Sequence, residues 1–309
     1  MSSGILRRMT VRKTHLDALA IAGLLTCCAL WGLNQVVIKL TVMQIDPMTL
    51  GTLRSAVTAL LVLLWCRYRG IALFEPDGTL RGGLLVGAMY AATAAFTYLS
   101  LQYTTASRFG VFVYLSPFVV ALGMPLIEKS ERLTWAQMCG MLVAFGGIGL
   151  AFAESFEGPA PAGQWKGDLM AVATGFFWAL TVMTVRASAL NHASAEKSLF
   201  YQLAGSAPLL ALLALPGPGL SGQTWNLPLI GLLAYQCLMV SFVSMLLWYW
   251  MMRHYPASQM SAFTLTTPGF GLIAGVLLLG EPLTLRLILA LATIAAGLML
   301  INRRVLPPA

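Results

Sequence analysis

The sequence predicts an all-α polytopic membrane protein, ten transmembrane helices arranged as two inverted five-helix repeats. Three observations carry that expectation: a composition unsuited to a water-exposed surface, apolar runs of membrane-spanning length along the chain, and an internal duplication. Of 309 residues, 58% are hydrophobic and 10% charged, with mean hydropathy +0.79. A soluble domain carries about 25% charged residues, so a water-soluble enzyme is excluded. Disorder is excluded for the opposite reason, because it requires low hydrophobicity.

A span needs roughly 17–25 apolar residues to cross a hydrocarbon core about 30 Å thick. Five runs occur in the first half: Ala18–Leu40, Met48–Cys66, Gly83–Tyr103, Phe109–Ile127 and Trp135–Phe152. Five follow in the second: Leu169–Leu190, Leu199–Leu215, Leu227–Met251, Ser258–Leu279 and Leu285–Ile301. The runs are continuous, which reads as helix; barrel strands alternate over about ten residues. The first run is too long for a signal-peptide core and no clear small-x-small cleavage site follows it. It is read as an uncleaved helix behind a tail at residues 1–15.

Charge orients the spans. Ten crossings put both termini on one side. That side holds 14 of the 19 basic residues: Arg7, Arg8, Arg12, Lys13, Arg67, Arg69, Arg81, Lys129, Arg132, Arg186, Lys197, Arg253, Arg303 and Arg304. The other side holds Lys39, Arg54, Arg108, Lys166 and Arg286. The excess of Lys and Arg places both termini in the cytoplasm. Orientation accounts for the net charge of +8, so no nucleic-acid partner is invoked, and contact with anionic lipid is a secondary reading.

The duplication is legible in three ordered matches. Leu30–Leu40 (LWGLNQVVIKL) matches Phe177–Ala187 (FWALTVMTVRA), with Trp31 and Trp178 147 residues apart. Ala106–Pro117 (ASRFGVFVYLSP) matches Ala257–Pro268 (ASQMSAFTLTTP) at 151, and Glu131-Arg-Leu-Thr matches Glu281-Pro-Leu-Thr at 150. The repeats are residues 16–153 and 167–303, joined by a Pro/Gly/Ala-rich periplasmic connector at 154–166 and followed by a tail at 304–309. Five is odd, so the second unit enters the membrane from the opposite side. An inverted repeat gives two related end states, the architecture of alternating-access carriers with sites near the midplane.

As a set, these residues resemble EamA-type members of the drug/metabolite transporter superfamily. The resemblance runs from Leu16 to Arg303. It rests on Trp31-Gly32-x-Asn34 with Lys39, on Arg54 after the Asp46-Pro47 turn, on Tyr103–Pro117, on Glu131-x-Leu-Thr, and on Thr267-Pro268 with Gly280-Glu281-Pro282-Leu283-Thr284. It implies an inner-membrane carrier, usually exporting amino acids or other small metabolites. Spans one, three, four, six, eight and nine would line the cavity, with five and ten at the periphery. Drug efflux or import of a small polar solute is the alternative within transport; a receptor or scaffold is the alternative outside it. The second repeat departs from the pattern, with Ala179 after Trp178 and Thr181 where the first has Asn34.

Polar residues inside spans are costly and point to function. Trp31, Asn34, Gln35 and Ile38 fall at helical spacing on one face. Asn34 and Gln35 either hydrogen-bond a small-molecule substrate or join helices. Trp178 and Thr181 take the equivalent places in span six. Tyr98 in span three, Tyr114 in span four, Thr267 in span nine, and Tyr235, Trp248 and Tyr249 in span eight complete the candidate cavity. Tyr235, Phe242, Met245 and Tyr249 are expected to form one stripe. Lys39 and Arg186, at opposite faces, are either snorkelling anchors or cations at the two mouths. Arg54 is expected to meet a helix-end partner or a carbonyl more than a substrate. Pro117 and Pro268 interrupt matching spans and mark a hinge or a fixed kink.

Gly140, Gly146, Gly147 and Gly149 in span five, and Ala292, Ala296 and Gly297 in span ten, make small-residue faces for internal packing, with homodimerisation as the alternative. The five cysteines read as buried apolar thiols. No Cys/His metal spacing exists, no phosphate loop, and no deep Ser/His pair, so neither a cofactor nor an enzyme activity is expected. Asp and Glu stay out of the deep membrane, with Asp17, Asp168 and Glu281 at span ends. A proton-coupled carrier commonly uses a buried carboxylate, so a facilitator or exchanger is expected, or coupling through an end residue such as Asp168.

Overall fold

The computed structural model describes residues 17–127, 135–153, 163–221, 223–254, 264 and 266–302. Both tails, most of the 154–166 connector, Glu131-Arg-Leu-Thr and the start of the ninth expected span at Ser258 lie outside the described residues. What is described is helical, with no strand.

The first half contains α1 (Ala18–Val42), α2 (Pro47–Arg69), α3 (Thr79–Tyr103), α4 (Ala106–Val113), α5 (Ser116–Ile127) and α6 (Trp135–Ala153). The second contains α7 (Gln164–Ala187), a 3₁₀ turn at Ala189–His192, α8 (Ala195–Ala214) and α9 (Leu227–Ala234). A π-helical stretch (Tyr235–Ser244) follows, then α10 (Met245–His254), α11 (Thr267–Leu279) and α12 (Leu285–Asn302).

Six helical segments among the described residues are long and apolar enough to cross a membrane: Ala18–Val42, Pro47–Arg69, Thr79–Tyr103, Ala106–Met124, Gln164–Ala187 and Leu227–Trp248. The other four expected spans are helical where described and do not reach that length and apolarity over the described residues. α8 opens on the polar run Ala-Glu-Lys-Ser. α11 is described for 13 residues. In α6 and α12 the apolar stretches are Met138–Gly147 and Leu285–Gly297.

Helix starts follow from sequence. Asp46 accepts from Thr49 N at 2.9 Å and Pro47 follows, where its missing N–H costs nothing. Ser194 caps α8 in the same way, accepting from Lys197 N at 3.1 Å. The two caps stand 148 residues apart, in line with the sequence repeat. Asn226 caps α9 at 2.9 Å. Gly70 and Gly280 end α2 and α11 at φ +64°, a left-handed conformation that favours glycine.

The halves interdigitate. α3 packs on α7 and α8, α2 on α8, α1 on α11, and α4 and α5 on α7, while α6 and α12 pack chiefly on each other. Glycines permit the close crossings: a Cβ on Gly87 would stand 2.7 Å from the Cα of Gly205, and one on Gly32 would meet Phe270 at 2.6 Å. In lipid such packing, rather than apolar burial, holds helices together. Gly147 packs against Ala290 and Ile294 of α12, but Gly146, Gly149, Ala292 and Ala296 are exposed, so only part of that small-residue face is internal. Cys27, Cys28, Cys66 and Cys237 are buried; Cys139 is exposed on α6, contrary to expectation.

The expected proline breaks become helix starts. The fourth expected span divides at Tyr114–Leu115, and Pro117 lies in the first turn of α5. Pro268 likewise lies in the first turn of α11. A proline there lacks an N–H that would be unsatisfied anyway. At Pro117 the helix therefore stops and restarts instead of bending through a strained turn.

Candidate functional site

Arg54 lies seven residues after the start of α2, about 10 Å along the helix. It is 8% exposed. Its Nε donates to Ser241 Oγ at 2.6 Å and its Nη1 to Tyr98 Oη at 3.1 Å. Tyr98 comes from α3 of the first half and Ser241 from the π-helical stretch of the second. Gly51, one turn before Arg54, leaves room for the Tyr98 ring, which would stand 2.9 Å from a Cβ there. Among the described residues no carboxylate pairs with Arg54, and its Nη2 has no hydrogen-bond partner. The expected helix-end or carbonyl partner is replaced by two side-chain oxygens from other helices.

Asn34 lies eight residues before the end of α1, about 12 Å from it. α1 and α2 are joined by the turn Met43–Asp46, so Asn34 and Arg54 stand at similar depth on adjoining helices. Asn34 is buried and its Oδ1 has no partner. Further along α1, Thr41 donates to Val37 O at 2.7 Å and accepts from Gln236 Nε2 at 3.0 Å. Because the Thr41 proton is committed to Val37, the amide of Gln236 is oriented with its nitrogen toward Thr41. Gln236 Oε1 is left buried and unpartnered. Gln236 and Ser241 are five residues apart, the hydrogen-bond repeat of a π-helix, so they share a face.

The expected α1 face is divided between two neighbours. Trp31 Nε1 donates to Ser244 Oγ at 2.8 Å, and its ring meets Trp248 edge-on at 5.2 Å. Gln35 is wedged instead between Gly110 of α4 and Gly271 of α11, and its Oε1 has no partner. The expected stripe from Tyr235 to Tyr249 is also split. Tyr235 Oη donates to Leu30 O at 2.8 Å, whereas Phe242 packs edge-on to Trp65 of α2 at 6.1 Å. An α-helical period cannot be carried through a π-helical stretch. The side chain of Tyr249 lies outside what is described, as does that of Pro117.

A second polar cluster joins the halves at the start of α4. Thr105 caps that helix, accepting from Arg108 N at 3.1 Å. Glu281, just after α11, accepts from Ala106 N at 2.7 Å, Ser107 N at 2.9 Å and Ser107 Oγ at 2.6 Å. A carboxylate at a helix N-terminus is favoured by both unpaired N–H groups and the helix dipole. Arg108 Nη2 lies 2.7 Å from Asp168 Oδ2 of α7, with side-chain exposures of 5% and 0%. Thr104 Oγ1 donates to Asp168 Oδ1 at 2.6 Å. Lys39, in the last turn of α1, donates to Thr104 O. Asp168 and Glu281 are thus end residues, as expected, but both are buried and engaged across the halves.

The remaining candidates are placed as follows. Tyr114 Oη donates to Thr264 O, and Thr267 is buried at the start of α11. Trp178 meets Tyr90 at 6.4 Å. Thr181 donates to Phe177 O within α7 at 2.9 Å. Arg186 is exposed in the last turn of α7, where a cation suits the helix dipole. Among the described residues no group of three metal-ligating side chains occurs. Residues that sequence reasoning did not single out are Ser241, Gln236 and Arg108. An intramembrane serine or glutamine was the available signal for the first two, but only the fold shows which helix each meets.

A sequence model of the EamA-like transporter family matches residues 18–153 and again residues 165–303. An uncharacterized transporter of Archaeoglobus fulgidus is 27% identical over 273 residues, covering 87% of this chain and 90% of that protein. An uncharacterized protein of Pseudomonas aeruginosa is 29% identical over 299 residues, covering 95% and 94%. An uncharacterized transporter of Bacillus subtilis is 22% identical, covering 89% and 88%. A solved crystal structure superposes with TM-score 0.65 over 93% of this chain and 99% of its own, at 19% identity, a likeness of fold. With the family matched across both halves and apolar helices throughout, this multi-pass membrane protein belongs to the EamA-like transporter family, within the drug/metabolite transporter superfamily.

Proposed function

We propose that this chain is an inner-membrane secondary transporter that exports an amino acid or a related small metabolite by alternating access. The observation that carries the reading is the clamp around α4. It ties Thr104, at the end of α3, and α4 of the first half to α7 and Glu281 of the second through side chains that can part without unfolding any helix. A carrier needs such separable contacts at each end of a central site.

In the ten-span reading with cytoplasmic termini, this clamp lies at the periplasmic end and closes the cavity on that side. The matched starts of α2 and α8, and the family match over both halves, support two related units. Behind the clamp, Arg54 of α2 meets Tyr98 of α3 and Ser241 of the π-helical stretch, and Gln236 of that stretch meets Thr41 of α1. Small-molecule transport between the halves accounts for polar side chains that packing alone leaves unpartnered.

The test is paired. Cells overproducing the chain should tolerate at least one toxic amino acid or amino-acid analogue better than control cells. The purified protein in vesicles should then take up that compound saturably, and faster when the vesicles are preloaded with it. Equal sensitivity in cells together with no stimulated uptake in vesicles overturns the reading.

A further inference from the structure

We infer that Arg54 is the seat of a substrate carboxylate, which makes the transported class carboxylate-bearing; the inference rests on the transport reading above. The guanidinium is held, not free. Ser241 takes Nε and Tyr98 takes one proton of Nη1, from opposite halves of the molecule. Those two contacts orient the group and leave Nη2 and the second Nη1 proton unbound.

An arginine in this position is costly without an anion. Removing one partner of a buried charge pair destabilises strongly because the other charge stays uncompensated. Phenol and alcohol oxygens donate partial charge only. Two N–H groups on neighbouring guanidinium nitrogens match the spacing of a carboxylate, the geometry for which arginine is preferred over lysine. Arg54 as a whole residue keeps 8% of its accessible surface.

The neighbouring groups suit the other end of such a molecule. Asn34 Oδ1, at similar depth on the adjoining helix, and Gln236 Oε1, on the Ser241 face of the π-helical stretch, are buried acceptors without donors. They would receive an ammonium or hydroxyl. A cation and two acceptors on three helices from both halves form a site for a zwitterion or a hydroxy acid, and its occupation would draw the halves together.

The repeat makes the site single. Gln202 takes the place of Arg54 in α8, 148 residues on, and its Nε2 has no partner. Only the first half carries the charge, so the carboxylate binds in one orientation.

The experiment measures binding apart from transport. Each standard L-amino acid, and its 2-hydroxy acid counterpart, is tested beside its own carboxamide for its effect on the melting temperature of the detergent-solubilised full chain. At least one acid should raise the wild-type melting temperature while its carboxamide does not. Arg54→Gln should weaken that acid by at least about tenfold, the worth of one charge-assisted hydrogen bond. Arg54→Lys keeps the charge but not the paired donors, and should also weaken it; this variant carries the test if Arg54→Gln does not fold. No response to any acid, equal responses to acid and carboxamide, or undiminished affinity in Arg54→Lys overturns the inference. Vesicle uptake of carboxamides or neutral solutes would sink this inference and leave transport standing. Absence of any uptake would sink the transport reading instead.

Discussion

Arg108 of α4 and Asp168 of α7 form a buried ion pair, Nη2 to Oδ2 at 2.7 Å, that joins the two halves of the chain. Thr104 adds a hydrogen bond to the same carboxylate. Asp168→Asn removes the carboxylate charge from this buried pair and should lower stability by up to about 3–5 kcal/mol. The paired replacement Arg108→Met with Asp168→Leu should lie nearer the wild type, because it removes both desolvated charges. Thermal unfolding in detergent distinguishes the two. A single variant as stable as the wild type contradicts the pair's importance.

Glu281 caps α4 from the far end of the sequence, with carboxylate oxygens 2.7 and 2.9 Å from the N–H groups of Ala106 and Ser107. Glu281→Gln replaces one acceptor with a donor and removes the charge, a loss of about 1–3 kcal/mol for charged hydrogen bonds. The amides of Ala106 and Ser107 should exchange with solvent deuterium faster, and those of α2 should not change. Unaltered exchange at the α4 start would refute the cap.

The α3–α8 crossing should tolerate no added carbon. Gly87→Ala places a Cβ 2.7 Å from the Cα of Gly205, where neither backbone can yield cheaply. A loss of about 1–3 kcal/mol is expected. Gly231→Ala is the control: nothing lies within 4 Å of its added carbon, so its melting temperature should match the wild type.

At the opposite end from the clamp, Lys197 at the start of α8 lies 2.7 Å from Asp77 in the loop before α3. The hydrogen bond from Lys197, with a further one from Thr79, pulls the Asp77 carboxyl down from 3.8 to about 2. A carboxyl depressed by folding stabilises the fold above its unfolded pKa and ceases to do so as pH falls through the folded one. Asp77→Asn should therefore lower the melting temperature slightly at pH 5–7, with the difference from wild type shrinking between about pH 4 and pH 2. A constant difference across that range contradicts the linkage.

The helices were legible in the sequence because apolar length and caps are local signals. Asp46-Pro47 and Ser194 mark starts wherever they stand, and Pro117 and Pro268 mark interruptions. The form of those interruptions was less legible, since a proline alone does not tell a kink from a restart. The π-helical stretch at Tyr235–Ser244 has no local signature, so a stripe drawn at α-helical spacing assigned Phe242 to the same face as Tyr235. Partners distant in sequence were not legible at all. Arg54 meets Ser241 across 187 residues and Ser107 meets Glu281 across 174. Only the interdigitation of the halves brings those residues together. The repeat predicted that the halves correspond; it did not predict which side chains would bridge them.

The proposed alternating access would require the clamp to open and close in each cycle, and that motion can be stopped on purpose. In a chain freed of its native cysteines, Ser107→Cys and Glu281→Cys are bridged by a short, reductant-cleavable dithiol reagent, with each single variant as control. Solute exchange in vesicles should stop when the bridge forms and return on reduction, while both single variants continue to exchange. Undiminished exchange through a fully bridged protein would contradict alternating access.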